Sequence, residues 1–223
     1  MKLTKFILGL TMISSFIGCT TSKEGLSYLA LGDSYTIGES VATNSNFPYQ
    51  LVDSIGNKGK EYASPVIIAR TGWRTDQLIN AIESARLKKE YDLVTLLIGV
   101  NNEFQGRTLE EYERDFTVLC KKSIELAGNN KKRVIVLSIP DYGYTPYGKS
   151  NVNRISARID LFNASNKRIS DSLQLTYVDI TEISRQGLTD PGLVANDGLH
   201  PSADMYGLWV KEILKKMKIK KQD

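Results

Sequence analysis

The sequence predicts an α/β domain: a parallel sheet of about five strands with helices on both faces. Two observations carry this. Short apolar runs alternate with helical patterns along the chain, which argues for right-handed βαβ crossovers. The two middle runs are nearly continuous in Val, Ile and Leu, as in strands covered on both faces.

The elements follow in order. The first strand, 28–31, reads Tyr-Leu-Ala-Leu and precedes a helix at 47–57. A second strand at 65–69 leads to a helix at 75–88, and a third at 92–98 to a helix at 108–128. In that helix Thr108-Leu-Glu-Glu111 is a capping-box signature, and Leu109, Tyr112, Phe116, Leu119, Cys120, Ile124 and Ala127 recur at helical spacing. Gly128-Asn129 closes it. A fourth strand at 133–139, a helix at 155–173, a fifth strand at 175–179 and a last helix at 202–218 complete the series. No repeat, low-complexity tract or internal boundary interrupts it, so 26–223 is expected to be one domain.

The bulk numbers agree. The 223 residues are 41% hydrophobic and 24% charged, ordinary for a globular chain. The net charge of +4, less Lys2 and Lys5 of a leader argued below, leaves about +2, too little to suggest a nucleic-acid partner. The lysine-rich tail from Lys215 to Lys221 continues an amphipathic helix and reads as a solvated helix end.

The N-terminus carries a separate message. Lys2 and Lys5 precede an apolar stretch from Phe6 to Ile17, which is shorter than the roughly 20 residues needed to cross a bilayer. This composition fits an export signal. The ending Phe16-Ile17-Gly18-Cys19 resembles a bacterial lipoprotein signal, in which the cysteine is lipidated and becomes the new N-terminus; Phe16 stands where leucine is usual. The resemblance implies a leader over 1–18, lipidation at Cys19, a linker over 19–25, and an exported protein held at a membrane of the cell envelope by its acyl chains. An ordinary signal peptide cut a few residues later is the alternative. With Cys19 lipidated, Cys120 has no partner for a disulfide, and it lies on the apolar face of the 108–128 helix.

In open parallel sheets functional groups gather beyond the carboxyl ends of the strands, near a topological switch point. After the first strand comes Gly32-Asp33-Ser34, after the second Arg70-Thr71-Gly72-Trp73, after the third Gly99-Val100-Asn101-Asn102, and beyond the fifth Asn196-Asp197-Gly198-Leu199-His200-Pro201. These supply a hydroxyl, an imidazole, a carboxylate and several donors, the parts acyl transfer needs. His200 is the only histidine, so a Ser/His mechanism has one candidate base and a histidine-rich metal site is excluded. One turn of chain can set the Asp197 carboxylate beside His200 Nδ1 while Nε2 faces Ser34. The backbone N–H groups of Ser34 and Gly72 and the Asn101 amide are candidate oxyanion donors. Each piece alone also reads as a turn or a structural residue; their order and shared edge carry the argument.

Together the four blocks resemble the SGNH hydrolases, or GDSL-type lipases and esterases. The resemblance implies a three-layer α/β/α sandwich, flavodoxin-like in outline, with no metal and no organic cofactor. It assigns Ser34 as nucleophile, His200 as general base and acid, Asp197 as its orienting partner, and Ser34, Gly72 and Asn101 as oxyanion hole. Tyr35 replaces the leucine of the family's name. Asn102 stands where many members have aspartate; an amide donates as well as accepts. Asp33 reads as a structural hydrogen-bonder beneath the serine turn.

The substrate is expected to be a small-molecule or glycan ester: a short-chain or acetyl ester, with a lysophospholipid also open. Trp73, Tyr142, Tyr144 and Tyr147 are candidate walls, and no long apolar lid is apparent. A non-catalytic glycan- or lipid-binding lipoprotein and a metal-dependent phosphoesterase built on Asp33 and Asp197 are the rival readings. Oligomeric state is not legible, with a monomer favoured.

Overall fold

The computed structural model describes residues 25–217. The proposed leader, Cys19, most of the linker and the last lysines lie outside them. Five strands, β1 (Tyr28–Gly32), β2 (Val66–Ala69), β3 (Leu93–Leu97), β4 (Val134–Leu137) and β5 (Thr176–Val178), form one sheet in the order β2-β1-β3-β4-β5. Every pairing is parallel; Leu31 lies opposite Ile68 on one side and Leu96 on the other. Four long helices connect them, α2 (Phe47–Gly56), α3 (Thr75–Ser84), α5 (Leu109–Leu126) and α6 (Val152–Ser172), and a fifth, α8 (Ala203–Met217), follows β5. Helices α2 and α8 pack together, whereas α3, α5 and α6 contact one another in series, giving the two outer layers around the sheet.

The burial pattern explains the apolar runs. β1, β3 and β4 are buried along their whole length, while edge strand β2 is mostly half-exposed. Tyr112, Phe116 and Phe162 stack between α5 and α6, and Phe47, Tyr206 and Trp209 pack between α2 and α8. Cys120 is buried in this core, and burial pushes its thiol up to about 12. The capping box forms: Thr108 N donates to Glu111 Oε2 and Glu111 N to Thr108 Oγ1.

Two boundaries differ from expectation. The 75–88 helix stops at Ser84 because Ala85 turns extended, which lets Leu87 fold back onto the core. The 155–173 helix begins at Val152. Three short helices, α1 (Ser34–Ile37), α4 (Val100–Phe104) and α7 (Thr181–Ser184), are additional. Each is about one turn long, too short to leave a periodic signature.

Candidate active site

The strand order places β1 between β2 and β3, so the chain leaves β1 and β3 on opposite sides and opens a crevice at their carboxyl ends. Ser34 opens α1 directly after β1. Asp33 is the N-cap, its Oδ1 accepting from Tyr35 N at 3.0 Å. The turn is tight: a Cβ at Gly32 would collide with Leu97 O and Thr36 Oγ1. Burial pushes the Asp33 carboxyl up to about 7, although the amides of Tyr35 and Gly99 pull it down. Its Oδ2 is buried without a partner, so its hold on the turn is the Oδ1 bond to Tyr35 N.

His200 comes from the loop before α8. Its Nδ1 lies 2.6 Å from Asp197 Oδ2, and Asp197 Oδ1 accepts from the backbone N–H groups of Leu199 and His200, each at 2.9 Å. Ser40 donates to the same Oδ2 at 2.6 Å. Burial raises the Asp197 carboxyl, but these donated bonds outweigh it and hold it well below the usual carboxylate range. Asp197 is therefore an anion that fixes the ring through Nδ1–H, leaving the lone pair of the neutral imidazole on Nε2. The Tyr35 ring supports the imidazole edge-on, centroids 5.6 Å apart.

The loop after β2 supplies the opposite wall. Gly72 has φ +81° with open space where a Cβ would be, so backbone conformation alone demands glycine there. Helix α4 clips this loop: Asn101 Nδ2 donates to Trp73 O and Gln105 Nε2 to Gly72 O, both at 3.0 Å. An amide NH₂ carries two hydrogens, so the bond to Trp73 fixes the plane of Asn101 and leaves its second hydrogen available. From the other side Thr71 Oγ1 donates to the Glu39 carboxylate. Asn102 turns away from the cleft. Its Oδ1 accepts from Thr75 N at 3.1 Å and its Nδ2 donates to Thr75 Oγ1 at 2.8 Å, so it caps α3 from a distance.

Ser34, Gly72, Asn101 and His200 line one cleft of about 260 Å³ with Tyr35, Thr71, Val100, Phe104, Gln105, Tyr142 and Leu199. Of the expected walls only Tyr142 lines it. Its hydroxyl donates to the buried Glu103 Oε2 at 2.8 Å. Trp73 packs on the core and contributes only its carbonyl to the site, Tyr144 lies under the Arg185 guanidinium, and Tyr147 stands outside against Phe104. Sequence reasoning missed Glu39, Ser40, Glu103, Phe104 and Gln105. The helical spacing of Phe104 and Gln105 from Asn101 would have found two of them; Ser40, at φ +67°, had no local signal. Among the described residues no three His, Cys, Asp or Glu side chains gather as a metal site would require.

The five-stranded parallel sheet between two helix layers, with Ser34 and His200 lining one cleft at its switch point, is consistent with the α/β/α fold of the SGNH hydrolases. The chain belongs to the GDSL-like lipase/acylhydrolase family, whose model matches residues 30–208, and is an ester-hydrolysing enzyme. No curated protein sequence matches it. Among solved structures, Axe2, an acetylxylan esterase from Geobacillus stearothermophilus, superposes with a TM-score of 0.69 at 18% identity, covering 90% of this chain and 97% of that one. The lipase/acylhydrolase from Enterococcus faecalis gives 0.69 at 18% identity, over 89% and 99%. TesA gives 0.69 at 16% identity, over 86% and 98%. At these identities the likeness is one of fold.

Proposed function

We propose that the protein is a serine esterase acting on short-chain or acetyl carboxylic esters through an acyl-enzyme on Ser34. The observation that carries this is the 2.6 Å contact of Asp197 with Nδ1 of the single histidine, in a cleft that Ser34 shares. His200 Nε2 takes the Ser34 proton as Oγ attacks the ester carbonyl. The oxyanion is met by the Ser34 and Gly72 N–H groups and the free hydrogen of Asn101. Collapse breaks the acyl C–O bond, and His200 returns its proton to the leaving alcohol. His200 then takes a proton from water, whose oxygen attacks the acyl carbon; collapse breaks the bond to Ser34 Oγ, His200 returns the proton to that oxygen, and the acid leaves. Losing one oxyanion donor typically costs about 10²–10³ in turnover, so Asn101→Ala is expected in that range.

The leader motif supports a further part of the reading: the enzyme is exported and tethered through lipid on Cys19 to a bacterial envelope membrane. The test is hydrolysis of short-chain nitrophenyl esters in chelator. Wild type is expected to turn over; Ser34→Ala and His200→Ala are expected to lose nearly all activity with unchanged melting temperatures. Full activity in either variant, or inhibition by chelator, overturns the assignment.

A further inference from the structure

Among the described residues two aromatic side chains stand exposed, Phe104 at 54% and Tyr147 at 55%. Chance would scatter such residues singly. These two touch each other, ring centroids 6.3 Å apart, at the mouth of the cleft. Phe104 continues inward to Tyr142, centroids 5.9 Å apart, so a row of three rings runs from the surface to the cleft wall. Both exposed rings are held to catalytic segments. Phe104 ends α4, one turn after Asn101. The Tyr147 N–H donates to Gly198 O at 3.0 Å, pinning its loop between Asp197 and His200.

We infer that Phe104 and Tyr147 form a platform that stacks against the pyranose ring of an acylated sugar, the alcohol part of the substrate, with the small acyl group in the cleft. The inference rests on the esterase reading above. A cleft of about 260 Å³ lies below the usual range for a drug-sized ligand, roughly 300–1,000 Å³, so it takes a small acyl group with room left over but does not enclose a whole acylated sugar. Part of the sugar then lies outside, where the platform is. Its chemistry suits a ring better than a methylene chain. A chain gains by removing its whole circumference from water and needs an enclosed apolar trough. An open aromatic surface covers one side only, which matches a sugar ring with an apolar C–H face and hydroxyls at its edge. Polar groups are at hand for those hydroxyls: Thr71 and Gln105 in the cleft wall, and the exposed Arg154, whose guanidinium reaches the Glu103 carboxylate at 3.6 Å beside Tyr142.

The test holds the acyl group constant and varies the alcohol. Hydrolysis of methyl tetra-O-acetylglucopyranoside and of ethyl acetate is compared for wild type, a Phe104→Leu/Tyr147→Leu double variant and Tyr144→Leu. Leucine keeps an apolar side chain but removes the flat face. Wild type is expected to favour the acetylated pyranoside, and the double variant to lose about tenfold of that preference, mainly through KM. Tyr144, under Arg185 and away from the cleft, is expected to leave the preference unchanged. Equal preference in the double variant and wild type overturns the platform, as does a wild type that hydrolyses ethyl acetate but not the pyranoside. So does a defect in the double variant confined to nitrophenyl octanoate, which would make the occupant an acyl chain. A wild type that hydrolyses none of these esters removes the esterase reading and the platform with it.

Discussion

Asp197 Oδ2 receives both the His200 ring and the Ser40 hydroxyl, so Ser40 sets how firmly the anion holds the imidazole. Removing one such hydrogen bond to a charged group costs about 1.5–3 kcal/mol when buried and less when half-exposed. Ser40→Ala is expected to lower kcat by about tenfold with KM little changed, as measured by steady-state kinetics. Asp33 makes the opposite electrostatic case. Its carboxyl is raised from 3.8 to about 7 by burial, so between those values the folded protein holds a proton that the unfolded chain has lost. The stability this contributes is complete below about pH 4 and is lost as pH rises through about 7. Relative to wild type, Asp33→Asn should therefore gain stability as pH rises across that window, followed by denaturant melts at each pH; parallel curves would contradict it. At this scale Ser34, Gly72 and Asn101 were legible as candidates because each stands in the turn after a strand, and Asp197 and His200 because an aspartate stands three residues before the single histidine. Ser40, 157 positions from Asp197 in the chain, was invisible because only the closed fold brings it there.

The elements that shape the site are the short ones. Helix α4 and its C-cap offer Asn101 and Gln105 to the loop after β2, while Asn102 reaches the start of α3, so one turn of helix braces the chain from Gly72 to Thr75. Asn102 uses both functions of its amide there, and its hydroxyl partner Thr75 passes the chain on to Asp115 Oδ2 at 3.3 Å. Asn102→Ala leaves the buried Thr75 N–H and hydroxyl without those partners and is expected to cost about 1–3 kcal/mol, measured by urea unfolding. Gly99 is the N-cap that starts this helix. At φ +135° a Cβ would meet Tyr112 Cε2 at 2.7 Å and Ile139 Cδ1 at 2.6 Å, so Gly99→Ala should destabilise by more than about 1 kcal/mol and reduce turnover with it. The long strands and helices were readable from their apolar periods. The one-turn helices were not, because about four residues define no period, and their role lies in tertiary hydrogen bonds.

For the whole molecule, parallelism has a topological consequence. All five strands run the same way, so the cleft sits at one edge of the sheet while Leu26, just before β1, enters at the other. A lipid tether at Cys19 would attach the domain by the edge remote from the cleft. Cys19→Ala is expected to move the protein from the membrane fraction to the soluble fraction without altering turnover of a soluble ester, as seen by fractionation and assay. The measurement that tests the central claim most directly is trapping with a fluorophosphonate followed by peptide mass mapping. The account predicts one adduct, on Ser34 of the wild type, and almost none in His200→Ala, which lacks the base. An adduct on any other serine, or ester hydrolysis that survives complete modification of Ser34, would contradict it.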